Sequence, residues 1–428
     1  MKFRKEVLRN GIRLLSCYLP NSKTVCAQVA VGAGTRNESR RYKGLAHFVE
    51  HMAFKGSRNF SSPVAIAKAF VSTGADFNAY TDRDITSYEI FSSPSGIDRA
   101  LEIVLDIFFY PRYRTSELKL ERGVVLAEHR DYLDDPTDVL DNLQSQLIYG
   151  ANHPLGWPVV GNSRSIPEIT IRNLLNFHHH YYRQTNNIVV SVAGNFSGAT
   201  LRKLRKYLNG IPQNTFHLPK AKYRSRQTKP RLAVKYWDGK QVYFNLGFRA
   251  YPHRHPKMAA LTVLDAVLAS GWGSPLSLEL RDKRGLIYGF DTGIYQWKEC
   301  GTYEISSSLH RKDLKTALKV VLAELRKLRE DLVSTDDLNR VHKLFDEYLN
   351  YFTSSYDFCD WMLNEELFEG EIKTPQEWMG ELKAVTPKEI REVARELFQD
   401  SGINLAVVGS HANSYKHSLK DILTVGDN

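Results

Sequence analysis

The sequence predicts an α+β protein with mostly antiparallel sheet, built as two copies of one design. Three observations predict it. Strand-like runs with hairpin signals alternate with amphipathic helical segments, a mixture that disfavours a doubly wound parallel fold. Segments of the first half return in the second at a near-constant offset, as duplication of a unit of about 200 residues would produce. The 428-residue length exceeds one ordinary core and suits two to three domains.

The elements follow in chain order. Asn10-Gly11 is a type I′ hairpin signal between two short strands. Val25–Val31 reads as a strand. Ser62-Pro63 opens a helix with a cap and a proline at its first position. Asp76–Tyr80 and Ile85–Phe91 read as paired strands. Thr115–Leu133 is a long charged amphipathic helix, ended by Asp134-Asp135-Pro136. The repeat shows in Val29–Gly32 against Phe244–Gly247 and in Val190–Gly194 against Leu405–Gly409, both at offset 215. Thr170–Leu174 against Thr386–Ile390 lies at offset 216. The expected domains are 1–212 and 232–428, joined by a polar, basic, proline-containing linker over 213–231.

Composition narrows the function. Apolar content of 42% and charged content of 25% are ordinary for a globular protein. No apolar run approaches the roughly 18–20 residues of a membrane span. Cys17, Cys26, Cys300 and Cys359 show no C-x-x-C pairing and read as free, mostly buried thiols of a reducing compartment. Met1–Lys5 leads straight into strand-like sequence with no signal-peptide core, so a bacterial cytoplasmic location is expected. The net charge of +10 comes from Lys and Arg spread along the chain. The one denser stretch, Lys220–Arg231, reads as solvated linker, and no nucleic-acid partner is expected. A basic surface steers acidic peptide segments.

The chemistry concentrates in His47-Phe48-Val49-Glu50-His51. Imidazoles four apart share one helix face and can bind one Zn²⁺ at about 2.0–2.1 Å each. Glu50 lies in the same region and can take a proton from water. This order is the inverted zincin signature, H-x-x-E-H, and points to metal-assisted peptide hydrolysis. A catalytic zinc needs a third protein ligand. Glu121 and Glu128 lie two turns apart on one helix face, so one can bind metal while the other orients an imidazole. His129 points about 100° away from Glu128. His178-His179-His180 faces three directions and reads as surface or packing. Gly271-Trp272-Gly273-Ser274 lacks the Lys-Ser/Thr of a phosphate loop and reads as a tight turn.

The run Gly44–Gly56 resembles the active-site helix of the M16 metallopeptidases, the group of pitrilysin, insulin-degrading enzyme and mitochondrial processing peptidase, and specifically its half-length bacterial members. The resemblance runs nearly end to end. It implies two domains of the fold shared by LuxS and the processing peptidase, each a sheet of about six strands covered by helices. It implies one Zn²⁺ per chain on His47, His51 and Glu128, with Glu121 as the supporting carboxylate. Asn78-Ala79-Tyr80-Thr81 resembles the edge strand that takes substrate as an added strand, with the Asn78 side chain holding substrate backbone. Leu280–Tyr288 resembles the motif whose Arg and Tyr contact substrate, here Arg281 and Tyr288. One departure is visible: Ser274-Pro275-Leu276 stands where the family often has Ser-Arg-Leu.

The implied reaction is endoproteolysis of unfolded peptides inside a closed chamber, possible substrates including a precursor or leader peptide. The ion activates water, Glu50 shuttles its proton, and Tyr288 donates to the oxyanion. Because this chain carries both the metal motif and the Arg/Tyr motif, a homodimer is expected, each copy completing the other's site. The alternatives are a catalytic subunit that needs a second M16 chain, and a non-catalytic scaffold like the core proteins of a respiratory complex. The scaffold reading is disfavoured, since every expected metal position is filled.

Overall fold

The computed structural model describes residues 2–215, 223–369, 372–410 and 416–425. The expected linker over 213–231 includes 216–222, which lie outside the described residues. The chain forms two compact units that are interleaved in sequence. The first draws on residues within 1–130, 157–221 and 351–374, the second on residues within 131–156, 222–350 and 375–428.

In the first unit six strands form one sheet. They are β1 (Phe3–Val7), β2 (Arg13–Tyr18), β3 (Val25–Val31), β4 (Asp76–Thr81), β5 (Thr86–Ser92) and β6 (Ile188–Gly194), in the order β1-β2-β6-β3-β5-β4. The second unit holds β7 (Arg231–Tyr236), β8 (Gln241–Ala250), β9 (Ile287–Gln296), β10 (Gly301–His310) and β11 (Asn404–Gly409), in the order β7-β11-β8-β10-β9. With β1 set aside, the two orders are the same permutation. Each sheet also has its one parallel pair at the same place, β2 with β6 and β7 with β11, all other neighbours being antiparallel. The sheets are thus mixed, mainly antiparallel, and duplicated.

Both faces of each sheet are covered. On one face of the first, the Leu45–Ala53 and Ile97–Phe109 helices pack Phe48, Met52, Val104 and Phe108 against Val29, Tyr88 and Val190. On the other, Phe358, Met362 and Leu363 of the Ser355–Glu369 helix cover Cys17, Cys26, Val189 and Ala193. Burial on two faces explains why β3 and β6 read as near-continuous apolar runs rather than alternating ones. The Pro136–Tyr149 helix does the same for the second sheet, with Val139 and Leu140 against Ala406 and Val408. Each covering helix comes from the half of the sequence that builds mainly the other unit.

The first hairpin differs from the sequence expectation. β1 and β2 pair as expected, but a type I′ turn needs positive φ at both central residues. Here Gly11 has φ +91° while Asn10 is not in the positive-φ region. Leu8 accepts from the Gly11 N–H, and the Leu8 N–H donates to Ile12. This is the three-residue loop with glycine in the left-handed position. The cause is tertiary: the Asn10 amide donates to the carbonyls of Leu208 at 2.8 Å and Ile211 at 2.9 Å. Its conformation therefore serves those contacts rather than the turn.

A candidate metal centre

The Leu45–Ala53 helix carries three of the candidate residues, and its start is fixed from outside the helix. Gly44 precedes it at φ +87°, where an added Cβ would meet Gly161 at 2.7 Å. The buried Glu38 carboxylate accepts from the Gly44 and Ala46 N–H groups, each at 2.8 Å. A carboxylate there satisfies orphan donors and complements the helix dipole. Burial nonetheless pushes the Glu38 pKa up to about 8 against the pull of those N–H groups.

One turn further on, His47 and His51 sit edge to face with ring centroids 4.5 Å apart. Opposite them stands the Thr115–Asp134 helix. Glu128 Oε1 lies 3.3 Å from His47 Nε2 and Glu128 Oε2 lies 3.4 Å from His51 Nε2. Ligand atoms bound tetrahedrally at about 2.0–2.2 Å lie roughly 3.3–3.6 Å from one another, so these separations suit ligands sharing one ion. Among the described residues this is the only group of three or more potential ligands drawn together in this way. Glu121, two turns earlier on the same helix face, is buried and meets His51 Nδ1 at 2.8 Å, and its other oxygen takes Lys55 Nζ at 2.7 Å. A carboxylate on Nδ1 holds that nitrogen protonated and turns the Nε2 lone pair toward the Glu128 side. The donor set of two imidazoles and a carboxylate fits Zn²⁺.

The electrostatics agree with that geometry. Hydrogen bonding to His47 and His51 holds Glu128 well below the usual carboxylate range. Burial alone would lower His51, but Glu121 and Glu128 outweigh it and raise the imidazolium pKa to about 9. A proton and a metal compete for the same nitrogen, so metal binding releases protons and weakens in acid. Burial opposes ionisation of Glu121, yet His51 and Lys55 keep it below its ordinary value.

Glu50 projects from the same helix, and its charge contributes to the raised His51. The Thr81 hydroxyl donates to Glu50 Oε2 at 2.6 Å. Thr81 ends β4, the edge strand expected from Asn78-Ala79-Tyr80. Among the described residues β4 pairs only with β5, so no second strand lies along its outer edge. Phe77 stacks on Phe54 and Phe70, which puts Phe77, Ala79 and Thr81 on the face of the Leu45–Ala53 helix. By the strand's alternation Asn78 and Tyr80 face the opposite side. Tyr80 packs there with Phe358 and its neighbours, and the Asn78 side chain is exposed.

The remaining candidates separate clearly. His129 is buried, apart from the ligand group, with its pKa lowered by burial. His178 is buried and holds the Phe108 carbonyl at 2.9 Å, while His179 and His180 are exposed. Arg281 and Tyr288 belong to the second unit. Tyr288 is 93% exposed near the start of β9, and the Arg281 guanidinium lies over the Trp272 ring, 4.3 Å from its centre. All four cysteines are free, and three are buried. No helix among the described residues is long and apolar enough to cross a membrane. Sequence reasoning placed Thr81 and Lys55 within matching motifs but gave neither of them, nor Glu38, a side-chain role, since those roles depend on contacts between distant segments. The one local signal was that Lys55 follows His51 by four residues.

A duplicated α+β unit with an H-x-x-E-H helix beside an edge strand, facing a carboxylate pair on a second helix, defines a class of metallohydrolases. Residues 13–161 match the family model described as insulinase (peptidase family M16), and residues 168–345 match the one described as peptidase M16 inactive domain. The chain belongs to peptidase family M16. It is 27% identical to YmxG of Bacillus subtilis, an uncharacterized zinc protease, over 96% of this chain and 99% of that one. It is equally 27% identical to a probable mitochondrial-processing peptidase subunit beta of Schizosaccharomyces pombe, over 96% and 92%. A crystal structure of a Helicobacter pylori protease superposes with a TM-score of 0.86 at 24% identity, covering 95% and 99%. A Pseudomonas fluorescens structure described as peptidase M16 inactive domain gives 0.86 at 18%, covering 96% and 98%.

Proposed function

We propose that this chain is a zinc-dependent endopeptidase acting on unfolded peptides. The observation that carries the reading is the convergence of His47 Nε2, His51 Nε2 and Glu128 at ligand separations, with Glu50 held beside them. The names of the M16 relatives support it. A zinc ion held by those three residues would polarise a water molecule and the scissile carbonyl.

The chain's own residues supply the rest. Glu50 accepts the water proton and returns it to the leaving amine. Thr81 holds one Glu50 oxygen and leaves the other for that transfer. Glu121 fixes the tautomer and orientation of His51. The free edge of β4 takes the peptide as an added strand through main-chain hydrogen bonds, which demands little of its sequence. Arg281 holds a substrate carbonyl and the Tyr288 hydroxyl donates to the developing oxyanion. Both come from a second copy in a homodimer that encloses the peptide, and trimming of a precursor or leader peptide fits this design. A monomeric mass in sedimentation together with full activity would reject the homodimer.

The test is cleavage of a mixed library of unfolded peptides by wild type and Glu50→Gln, with metal content measured on both. Wild type is expected to cleave and Glu50→Gln to lose about 10²–10⁴-fold in rate with zinc retained. Equal rates for the two proteins would reject the role of Glu50. A second reading, a catalytic subunit that requires a different M16 chain, is favoured by the likeness to a protein named as a subunit. Zinc present without cleavage by wild type, with cleavage appearing on addition of a second M16 chain, would decide for it.

A further inference from the structure

Trp272 is the least expected side chain on the second unit's surface. Large aromatics are rarely left in water without a reason, yet Trp272 is 75% exposed. The turn that presents it is built: Gly271 has φ +81°, the Ser274 N–H closes onto the Gly271 carbonyl at 3.2 Å, and Arg340 donates to the carbonyls of Val267, at 2.8 Å, and Ser270. This is the Gly-Trp-Gly-Ser stretch where the sequence departs from the family pattern, with Pro275 in place of an arginine.

Two features give Trp272 something to do. The Arg281 guanidinium carbon lies over the Trp272 indole, 4.3 Å from the ring centre, a cation–π arrangement that holds the cation in place while leaving its N–H donors open. The nearby acid, Glu279, is engaged by Lys283 at 2.5 Å and by Arg284, so Arg281 is not drawn to it. Trp272 and Arg281 also wall a cavity of about 250 Å³ with Ala269, Tyr288 and Phe290. That volume falls below the roughly 300–1,000 Å³ of cofactor and drug-sized sites and suits a single side chain. Tyr288 and Phe290 belong to β9, which among the described residues pairs only with β10. The cavity therefore borders an open sheet edge, where an extended peptide would present alternate side chains.

We propose that Trp272 is a specificity-determining and positioning residue: it holds Arg281 in place for a peptide carbonyl and forms the wall of a subsite for one large apolar side chain of the bound peptide. The inference rests on the proposed role of Arg281 and Tyr288 in peptide binding, but not on turnover. The pocket selects Phe, Leu or Met over Ala at one register of the peptide, and the stacked guanidinium anchors that register.

The experiment measures binding, so that it is separate from catalysis. A series of unfolded peptides, differing only by Phe, Leu or Ala at successive positions, is titrated calorimetrically into full-length Glu50→Gln protein. The same series is titrated into Glu50→Gln carrying Trp272→Ala, Trp272→Phe or Trp272→Leu. Trp272→Ala is expected to weaken peptides with the large apolar residue in register by about tenfold and to leave the Ala peptides nearly unchanged. Trp272→Phe restores both affinity and selectivity. Trp272→Leu restores selectivity for the apolar residue but not full affinity, because the stacking on Arg281 is lost. Identical binding by all four proteins, a uniform loss that Trp272→Phe does not restore, or no binding by any of them overturns the proposal. Trp272-dependent binding by a protein that cleaves nothing in its wild-type form would instead count against the peptidase reading alone.

Discussion

The two units share one strand permutation, and each follows its long central strand with a helix over the same sheet: Leu45–Ala53 after β3 and Met258–Ala269 after β8. The first helix buries His47 and Glu50 among its apolar residues. The second buries Leu261, Val263, Leu264, Val267 and Leu268 and contains no histidine. Holding buried ionisable groups in the first helix requires outside support, since each must be paired or hydrogen-bonded. That support is visible in Glu121, Lys55, Thr81 and Glu38. The second helix carries one such group, the half-buried Asp265, which accepts from the Tyr303 hydroxyl at 3.0 Å, and Arg340 holds its Val267 carbonyl; the rest of its hold is packing. The contrast shows a duplicated scaffold in which the sheet is kept and the candidate metal-ligand group belongs to one copy. The family description of residues 168–345 as an inactive domain accords with this.

The comparison can be broken from either side. Leu264 is fully buried in the second unit's core, and Leu264→Ala should cost about 2–5 kcal/mol in urea denaturation while zinc content per folded chain stays the same. Loss of zinc at full folding would mean that the second unit's packing shapes the metal site.

In the first unit, burial lowers the His178 pKa to about 4 despite its bond to the Phe108 carbonyl. The unfolded chain therefore binds more protons than the folded one between about pH 6.5 and 4. Stability should be fully present above that window and fall by up to roughly 3 kcal/mol as pH drops through it. Denaturation midpoints across that range check this, and an unchanged slope in His178→Asn would contradict it.

Smaller again is Glu121→Gln, which keeps shape but removes the charge behind His51. Zinc affinity should weaken by about 10–100-fold, read by competition with a chromophoric chelator. No change would leave Glu121 as a partner of Lys55 only.

Much of this was legible in the sequence, for reasons of spacing. Imidazoles four apart and carboxylates seven apart on helices fall on single faces whatever the fold, so spacing narrowed the candidates to His47, His51 and one of Glu121 and Glu128, and the family resemblance pointed to Glu128. The strand pairing of β4 with β5 followed from period-two patterning. The exchange of the Pro136–Tyr149 and Ser355–Glu369 helices was not legible. Periodicity tells that a helix has an apolar face but not which sheet it covers, and both helices cover strands built from the other half of the chain. The Asn10 turn was misread because its side chain is committed to Leu208 and Ile211, some 200 residues away. The face on which Asn78 lies depended on Phe77 finding Phe54 and Phe70, a contact between three segments.

The most direct test of the account is the zinc stoichiometry of the purified chain, measured by native mass spectrometry beside Glu128→Gln and His47→Ala. The account predicts one zinc per wild-type chain and its loss in both variants at unchanged folding. Two zinc ions per chain, or one that survives both substitutions, would contradict a single metal centre on His47, His51 and Glu128.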